Sequence, residues 1–186
     1  MSDIICTSSN AEKIIDSLLQ YEKIIFASDK LLGTYLKGKT GRDLLLWNGS
    51  CQVHEIFSEK ELIRLKTRHP SALVLAHPEC NDDILHHAHH IGSTTSIIHF
   101  TIESTENEFI IATEPGVIHQ IKKHSPEKKI PLPSNDGCAC NECPHMRLNT
   151  LEKMMSFLET IGSEISIPDD IPIRALKPLE RMLALS

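Results

Sequence analysis

Aromatic residues make up only 4% of the 186-residue chain, so Ile, Leu and Val must build its core. Positive charge is short as well. Nineteen Lys and Arg face 25 Asp and Glu, a formal net charge of −6, which disfavours a diffuse nucleic-acid binder. No apolar run approaches the ~18 residues of a membrane-spanning helix. The opening Met1-Ser2-Asp3-Ile4-Ile5-Cys6 lacks the basic stretch followed by an apolar one that marks a secretory leader. These absences lead to the expectation of a cytoplasmic protein with no membrane or nucleic-acid partner. With 40% hydrophobic and 24% charged residues, the composition is that of a globular chain and not a disordered one. The length suits one large domain or two small ones, and two units of about 90 residues would each lean on the other for stability.

What the chain has in quantity is metal-ligand chemistry: six cysteines and eleven histidines. Without an export signal, the cysteines point to thiolates for metal or catalysis, not to a disulfide framework.

Short apolar runs alternate with amphipathic ones. Strands are expected at Asp3–Thr7, Lys23–Phe26, Asp43–Trp47, Ala72–Ala76, near Ile91, at Glu108–Ala112 and near Ile130. Helices are expected over Ala11–Leu19 after Ser8-Ser9-Asn10, and over Lys30–Lys37, capped by Asp29 and ended by Gly38. Ser58 with Glu61 reads as a capping box for Glu59–Arg68. Further helices follow Asn81 to about His89, Ser93 to about Phe100, over Val117–His124, from Thr150 to about Ile161, and from Asp169-Asp170 to about Leu185. Strands alternating with helices imply βαβ units with parallel sheets, whose ligands bind at the carboxyl ends of the strands. Ser8 and Ser93 open similar strand-to-helix junctions, and a loop cysteine follows each, Cys51 or Cys143. The chain therefore reads as related α/β units of roughly 85 to 92 residues.

The densest motif is Cys138-Ala139-Cys140-Asn141-Glu142-Cys143-Pro144. Thiolates this close suit a soft metal, either structural zinc, with His145, Cys80 or Cys51 completing the set, or an iron–sulfur cluster. Cys51 stands just past a strand end, where a cysteine is either a ligand or a small buried hydrophobe. In His77-Pro78-Glu79-Cys80 an apolar strand gives way abruptly to imidazole and carboxylate, a pair suited to proton transfer. Their i, i+2 spacing would place both on one face of an extended segment. Ser8 and Ser93-Thr94 fall at helix N-termini, as simple caps or as anion sites. His86-His87-Ala88-His89-His90 offers either an i, i+4 chelate or a solvated helix face.

Seven segments, taken in order, resemble quinolinate synthases, the iron–sulfur enzymes of bacterial NAD biosynthesis. They are Cys6-Thr7-Ser8-Ser9-Asn10-Ala11, Phe26-x-x-Asp29-x-x-Leu32-Gly33, Trp47-x-Gly49-x-Cys51-x-Val53-His54, His77-Pro78-Glu79-Cys80, Gly92-Ser93-Thr94, Thr113-Glu114-x-Gly116, and Cys143-Pro144-x-Met146 followed by Thr150-Leu151-Glu152. Ser28 and Asn48 depart from the pattern, which has proline there. The resemblance implies an α/β fold of repeated small parallel-sheet units around a pseudo-threefold axis. Each unit gives one cysteine to a single [4Fe–4S] cluster, with one iron open to substrate. The implied reaction is a transferase condensation of iminoaspartate with dihydroxyacetone phosphate to quinolinate, phosphate and water. It makes Cys51 and Cys143 cluster ligands and His77 and Glu79 the catalytic pair, which lines the substrate pocket together with Ser8, Ser93 and Thr94. It also implies that the chain matches the carboxyl-terminal two-thirds of such an enzyme. The expected parts are a partial middle domain over 1–54, a third domain over 55–148 and C-terminal helices over 149–186. The first domain, with the first cluster cysteine, is expected to be supplied from elsewhere, and residues 1–186 alone are expected to be inactive. The alternative reading is a structural zinc module built on the Cys138–Cys143 loop.

Overall fold

The structure is a computed structural model, and it describes residues 2–131, 142–160, 162 and 164–185. The elements run α1 (Ala11–Ser17), β1 (Ile24–Phe26), α2 (Lys30–Thr40), β2 (Leu44–Leu46), α3 (Gln52–Glu55), α4 (Glu59–Arg68), β3 (Leu73–Ala76), α5 (Asp82–Leu85), β4 (His90–Ile91), α6 (Thr94–Glu103), β5 (Phe109–Ala112) and α7 (Gly116–His124). A 3₁₀ turn at Met146–Leu148 then leads to α8 (Leu151–Thr160) and α9 (Asp170–Leu185). The fold is α/β, as expected.

All strand pairs among the described residues are parallel. β1 and β2 form a two-stranded sheet in the register Ile24↔Leu44 to Phe26↔Leu46. β3 is the centre of a three-stranded sheet in the order β4-β3-β5, with Leu73↔Phe109 through Ala76↔Ala112 on one side and Leu75↔His90 on the other. β5 is buried at all four positions and β3 at three of four, the pattern of strands covered on both faces. Val74, Ala76, Ile110 and Ala112 face Leu62 of α4 and Ile84 of α5. Leu75, Phe109 and Ile111 face Ile97 of α6 and Val117 and Ile121 of α7. Among the described residues the first sheet is covered on one face only: Phe26 and Leu44 pack on Ala11, Ile15, Leu32 and Leu36, while the paired Ile25 and Leu45 are exposed. Tyr35 packs against both this core and the α4–α5 side of the larger sheet, so it joins the two units.

Side-chain caps set the starts of α2, α4 and α6. Asp29 accepts from the Leu32 amide, Ser58 from the Glu61 amide and Ser93 from the Ser96 amide, so three of the anticipated caps form. Asn10 and Asn81 make no side-chain cap hydrogen bond. Four expectations are corrected. Asp3–Thr7 forms no strand, because its backbone has no ladder partner among the described residues. Helix α2 runs through Gly38 and ends at Gly41. That glycine takes the left-handed conformation at φ +68° and donates to the Lys37 carbonyl at 3.0 Å. Helix α5 is a single turn that stops short of His89. The edge of β3 captures His89, whose N–H donates to Val74 O at 2.7 Å while its Nδ1 accepts from the Val74 amide at 2.9 Å. The strand near Ile130 reduces to one parallel bridge between Glu108 and Lys129.

Ile110 is fully buried in the β5 ladder and touches the α4–α5 layer. Ile110→Ala is expected to cost about 2–5 kcal/mol. Urea unfolding checks this, with the midpoint falling while the slope stays unchanged.

Candidate metal-binding active site

Parallel pairing delivers the polar residues to one kind of place. β1 runs into Asp29, β2 into Cys51, β3 into His77 and Glu79, β4 into Ser93 and Thr94, and β5 into Thr113. These are the carboxyl ends of the strands, where α/β sheets bind ligands.

The Asp29 carboxylate is buried and divided between two tasks. Oδ1 accepts from the Leu32 amide at 2.9 Å, and Oδ2 accepts from the Cys51 amide at 2.6 Å. The Lys30 amide donates to Gly49 O at 2.7 Å, so the loop carrying Cys51 is stitched to the start of α2 at two points. Cys51, half-buried, then opens the single turn α3. The His54 amide donates to Cys51 O at 3.1 Å, and this turn places the His54 ring beside the thiol. Asn81 Nδ2 donates to Glu55 O at 2.6 Å and fixes the end of α3 to the start of α5.

His77 and Glu79 lie in a tight turn, not in an extended segment. The Cys80 amide donates to His77 O at 2.9 Å, with Pro78 at the second position where its fixed φ belongs. The turn still brings the pair together. The Glu79 amide donates to His77 Nδ1 at 3.3 Å, and Glu79 Oε2 lies 3.8 Å from the same nitrogen. An Nδ1 that accepts assigns the ring proton to Nε2, which points at Ser8 Oγ 3.3 Å away. Ser8, Ser93 and Thr94 were all expected in the pocket. Ser8 meets His77, whereas Ser93 caps α6 by accepting from the Ser96 amide at 3.3 Å. Thr94 is exposed beside it on the first turn of α6.

The rings of His54 and His77 stack with centroids 4.3 Å apart and an angle of 14° between their planes. His54 Nε2 meets Thr113 Oγ1 at 3.1 Å, and its Nδ1 lies 3.1 Å from Glu79 Oε2. Ligand atoms of Cys51, His54 and Glu79 all lie within 4.8 Å of one another. The charges sort accordingly. Burial opposes protonation of His54, but the neighbouring Cys51 thiol and Glu79 carboxylate outweigh it and raise its pKa to about 9. Burial and the adjacent His54 charge push His77 down to about 4, so His77 is neutral at physiological pH. The His54 side chain beside it draws the Cys51 thiol below its ordinary value against burial. Burial works to raise Glu79, and His54 holds it below the usual glutamate value.

Cys143 is half-buried, ahead of the 3₁₀ turn at Met146–Leu148, and is not part of the Cys51–His54–Glu79 group. Cys138 and Cys140 lie outside the described residues, and so does most of the loop on which the zinc-module reading rests. The histidine run does not form one chelating face, because its members take separate partners. His86 turns to Asp82 O, His87 to Glu59, His89 to the Val74 amide and His90 to Ser96 Oγ. Asp29, His54 and Thr113 carry parts of the site that local sequence did not assign. All three stand inside the quoted motifs, but only the fold shows what they touch.

Fold and site together define a parallel α/β protein with a thiol, an imidazole and a carboxylate gathered at its strand ends. The family described as Quinolinate synthetase A protein matches residues 1–184, and the chain belongs to that family. It is 55% identical over 187 residues to a quinolinate synthase of Trichodesmium erythraeum (strain IMS101), covering 100% of this chain and 58% of the relative. It is 54% identical to one from Microcystis aeruginosa (strain NIES-843 / IAM M-2473), covering 100% of this chain and 59% of the relative. It is 55% identical to one from Chloroherpeton thalassium (strain ATCC 35110 / GB-78), again covering 100% of this chain and 58% of the relative. The chain thus spans somewhat over half the length of these curated relatives. No helix among the described residues is long and apolar enough to cross a membrane.

Asp29→Asn separates the two tasks of that carboxylate. Asparagine still caps a helix, but its NH₂ then meets the Cys51 amide or the cap is surrendered. The expected result is a loss of about 1–3 kcal/mol from the orphaned amide, with faster hydrogen exchange at Cys51 and Leu32 held protected. Unchanged exchange at the Cys51 amide would mean that the carboxylate acts only as a helix cap.

Proposed function

We propose that the chain is the portion of a quinolinate synthase that carries two cluster cysteines and the proton-transfer pair. In this reading it acts in the cytoplasm, in NAD biosynthesis, condensing iminoaspartate with dihydroxyacetone phosphate. The observation that carries the reading is the joining of Cys51, His54 and Glu79 at the strand ends of a chain that matches the family over residues 1–184. The residues fit an iron–sulfur group. Cys51 is half-exposed and its thiol is drawn down by His54, so a thiolate is within reach of a metal. Cys51 and Cys143 would hold a [4Fe–4S] cluster, with the remaining cysteine coming from the part of the relatives that this chain does not cover. Such a cluster supplies Lewis acidity toward a substrate carboxylate or hydroxyl.

The structure supports a division of labour between the proposed catalytic residues. Glu79 is ionised and partly open, which suits it to take the proton lost when the triose enolises. His77 is neutral with its proton on Nε2. It therefore serves as a hydrogen-bond donor that polarises a substrate oxygen, and not as the base. His54 holds a positive charge between the thiol and the carboxylate and so keeps Glu79 ionised. Ser8, Ser93 and Thr94 would bind the substrate, the last two at the N-terminus of α6, where free amides favour its anionic groups. We also propose the division 1–54, 55–148 and 149–186, which places the β1–β2 sheet and the β3-centred sheet in separate domains.

In the full-length protein reconstituted anaerobically, His77→Ala or Glu79→Gln should lower turnover by ~10²-fold or more with the cluster spectrum intact. Unchanged turnover in both would remove the pair from the mechanism. Cys51→Ala and Cys143→Ala should each abolish the cluster absorbance, whereas Cys138→Ala and Cys140→Ala should retain it. Loss of iron in Cys140→Ala with retention in Cys143→Ala would reverse the ligand assignment.

A further inference from the structure

Among the described residues His54 Nδ1 is out of contact with solvent and has no hydrogen-bond partner, although Glu79 Oε2 lies only 3.1 Å away. The in-plane axis of this nitrogen therefore does not run to that oxygen. Two ligands of one tetrahedral ion show this arrangement. With metal–nitrogen and metal–oxygen bonds near 2.0–2.1 Å, their donor atoms sit roughly 3.3 Å apart, each aimed at the ion and not at the other. Cys51 supplies a third donor within 4.8 Å of both. A thiolate in such a set sits roughly 3.6 Å from its imidazole neighbour, a distance that a half-exposed side chain reaches by rotating about χ1. The far side of the ring is already fixed: His54 Nε2 meets the buried Thr113 hydroxyl at 3.1 Å, as the second nitrogen of a metal-bound histidine does.

We infer that Cys51, His54 and Glu79 form a site for a single zinc-like divalent ion in protein that carries no cluster, with three protein donors and a fourth position open to water. Binding forms bonds to the Cys51 sulfur, His54 Nδ1 and a Glu79 oxygen, and releases the thiol and imidazole protons to solvent. A mixed sulfur, nitrogen and oxygen set selects zinc and its neighbours over magnesium or calcium. Cys51 is also the thiol assigned to the cluster, so ion and cluster exclude each other. The ion would act as an occupant that cluster assembly must displace.

The site is tested with Co²⁺ alone, titrated anaerobically into the 186-residue chain bearing Cys138→Ala, Cys140→Ala and Cys143→Ala, so that the separate cysteine loop cannot contribute. One equivalent should bind, with the ligand-field bands of a tetrahedral ion and a thiolate-to-cobalt charge-transfer band, and Zn²⁺ should displace it. Adding Cys51→Ala should remove the charge-transfer band and weaken binding at least ~100-fold, and Thr113→Val should weaken it ~10-fold. Circular dichroism on each variant confirms that the fold is retained, and Cys51→Ser serves as a second probe of the thiolate band. No binding to the folded parent, or binding and bands unchanged by both Cys51 substitutions, overturns the site. No substrate, iron or sulfide is used, so the outcome stands apart from the proposed synthesis of quinolinate.

Discussion

Leu73–Ala76 is hydrogen-bonded along both edges, and both of its partners run parallel to it. Three chain segments therefore leave the sheet at the same end. One becomes His77 and Glu79, one Ser93 and Thr94, and one Thr113. An antiparallel neighbour would send its polar tail to the opposite end of the sheet. Burial of β3 and β5 on both faces holds this arrangement, because a one-residue slip would move Ile110 and Ile111 into each other's layers and break both cores at once.

The thiol reaches this edge by a different route. It comes from the smaller sheet, through Asp29, which ties the first turn of α2 to the Cys51 amide, and through the single turn α3, which turns His54 inward. The His54–Thr113 contact spans 59 residues and joins the two units at the chemistry itself. Tyr35, packed on both cores, joins them again at a distance from it.

Within this edge two stacked imidazoles hold different charge states, one cationic and one neutral, because each has different neighbours. His54 faces a thiol and a carboxylate and keeps its proton. His77 is buried against the charged His54 ring, so it stays neutral, with its Nδ1 accepting from a backbone amide. Two like residues 4.3 Å apart thus differ in charge. His77 and Glu79 can then present one N–H donor and one ionised carboxylate at the same end of the sheet.

Periodicity and caps in the sequence alone determined the α/β class, the positions of β1, β2, β3 and β5, and the starts of α2, α4 and α6. These depend on apolar spacing and on single side chains bonding to amides three residues on, which are local matters. The motifs also marked His77, Glu79, Ser8 and Cys51 as chemistry-bearing, since a polar break after an apolar strand is visible in one dimension. The tertiary structure decided what local spacing cannot hold. It drew His89 out of a helix by pairing it with Val74. It left Asp3–Thr7 without a ladder partner among the described residues. It turned His77–Cys80 back on itself around Pro78. It also set His54 against Thr113 and against Glu79, 25 residues on, and the Glu79 carboxylate together with the nearby Cys51 thiol raises its pKa to about 9 against burial. The charge on a buried imidazole is a property of what folds against it, and no window of sequence contains that.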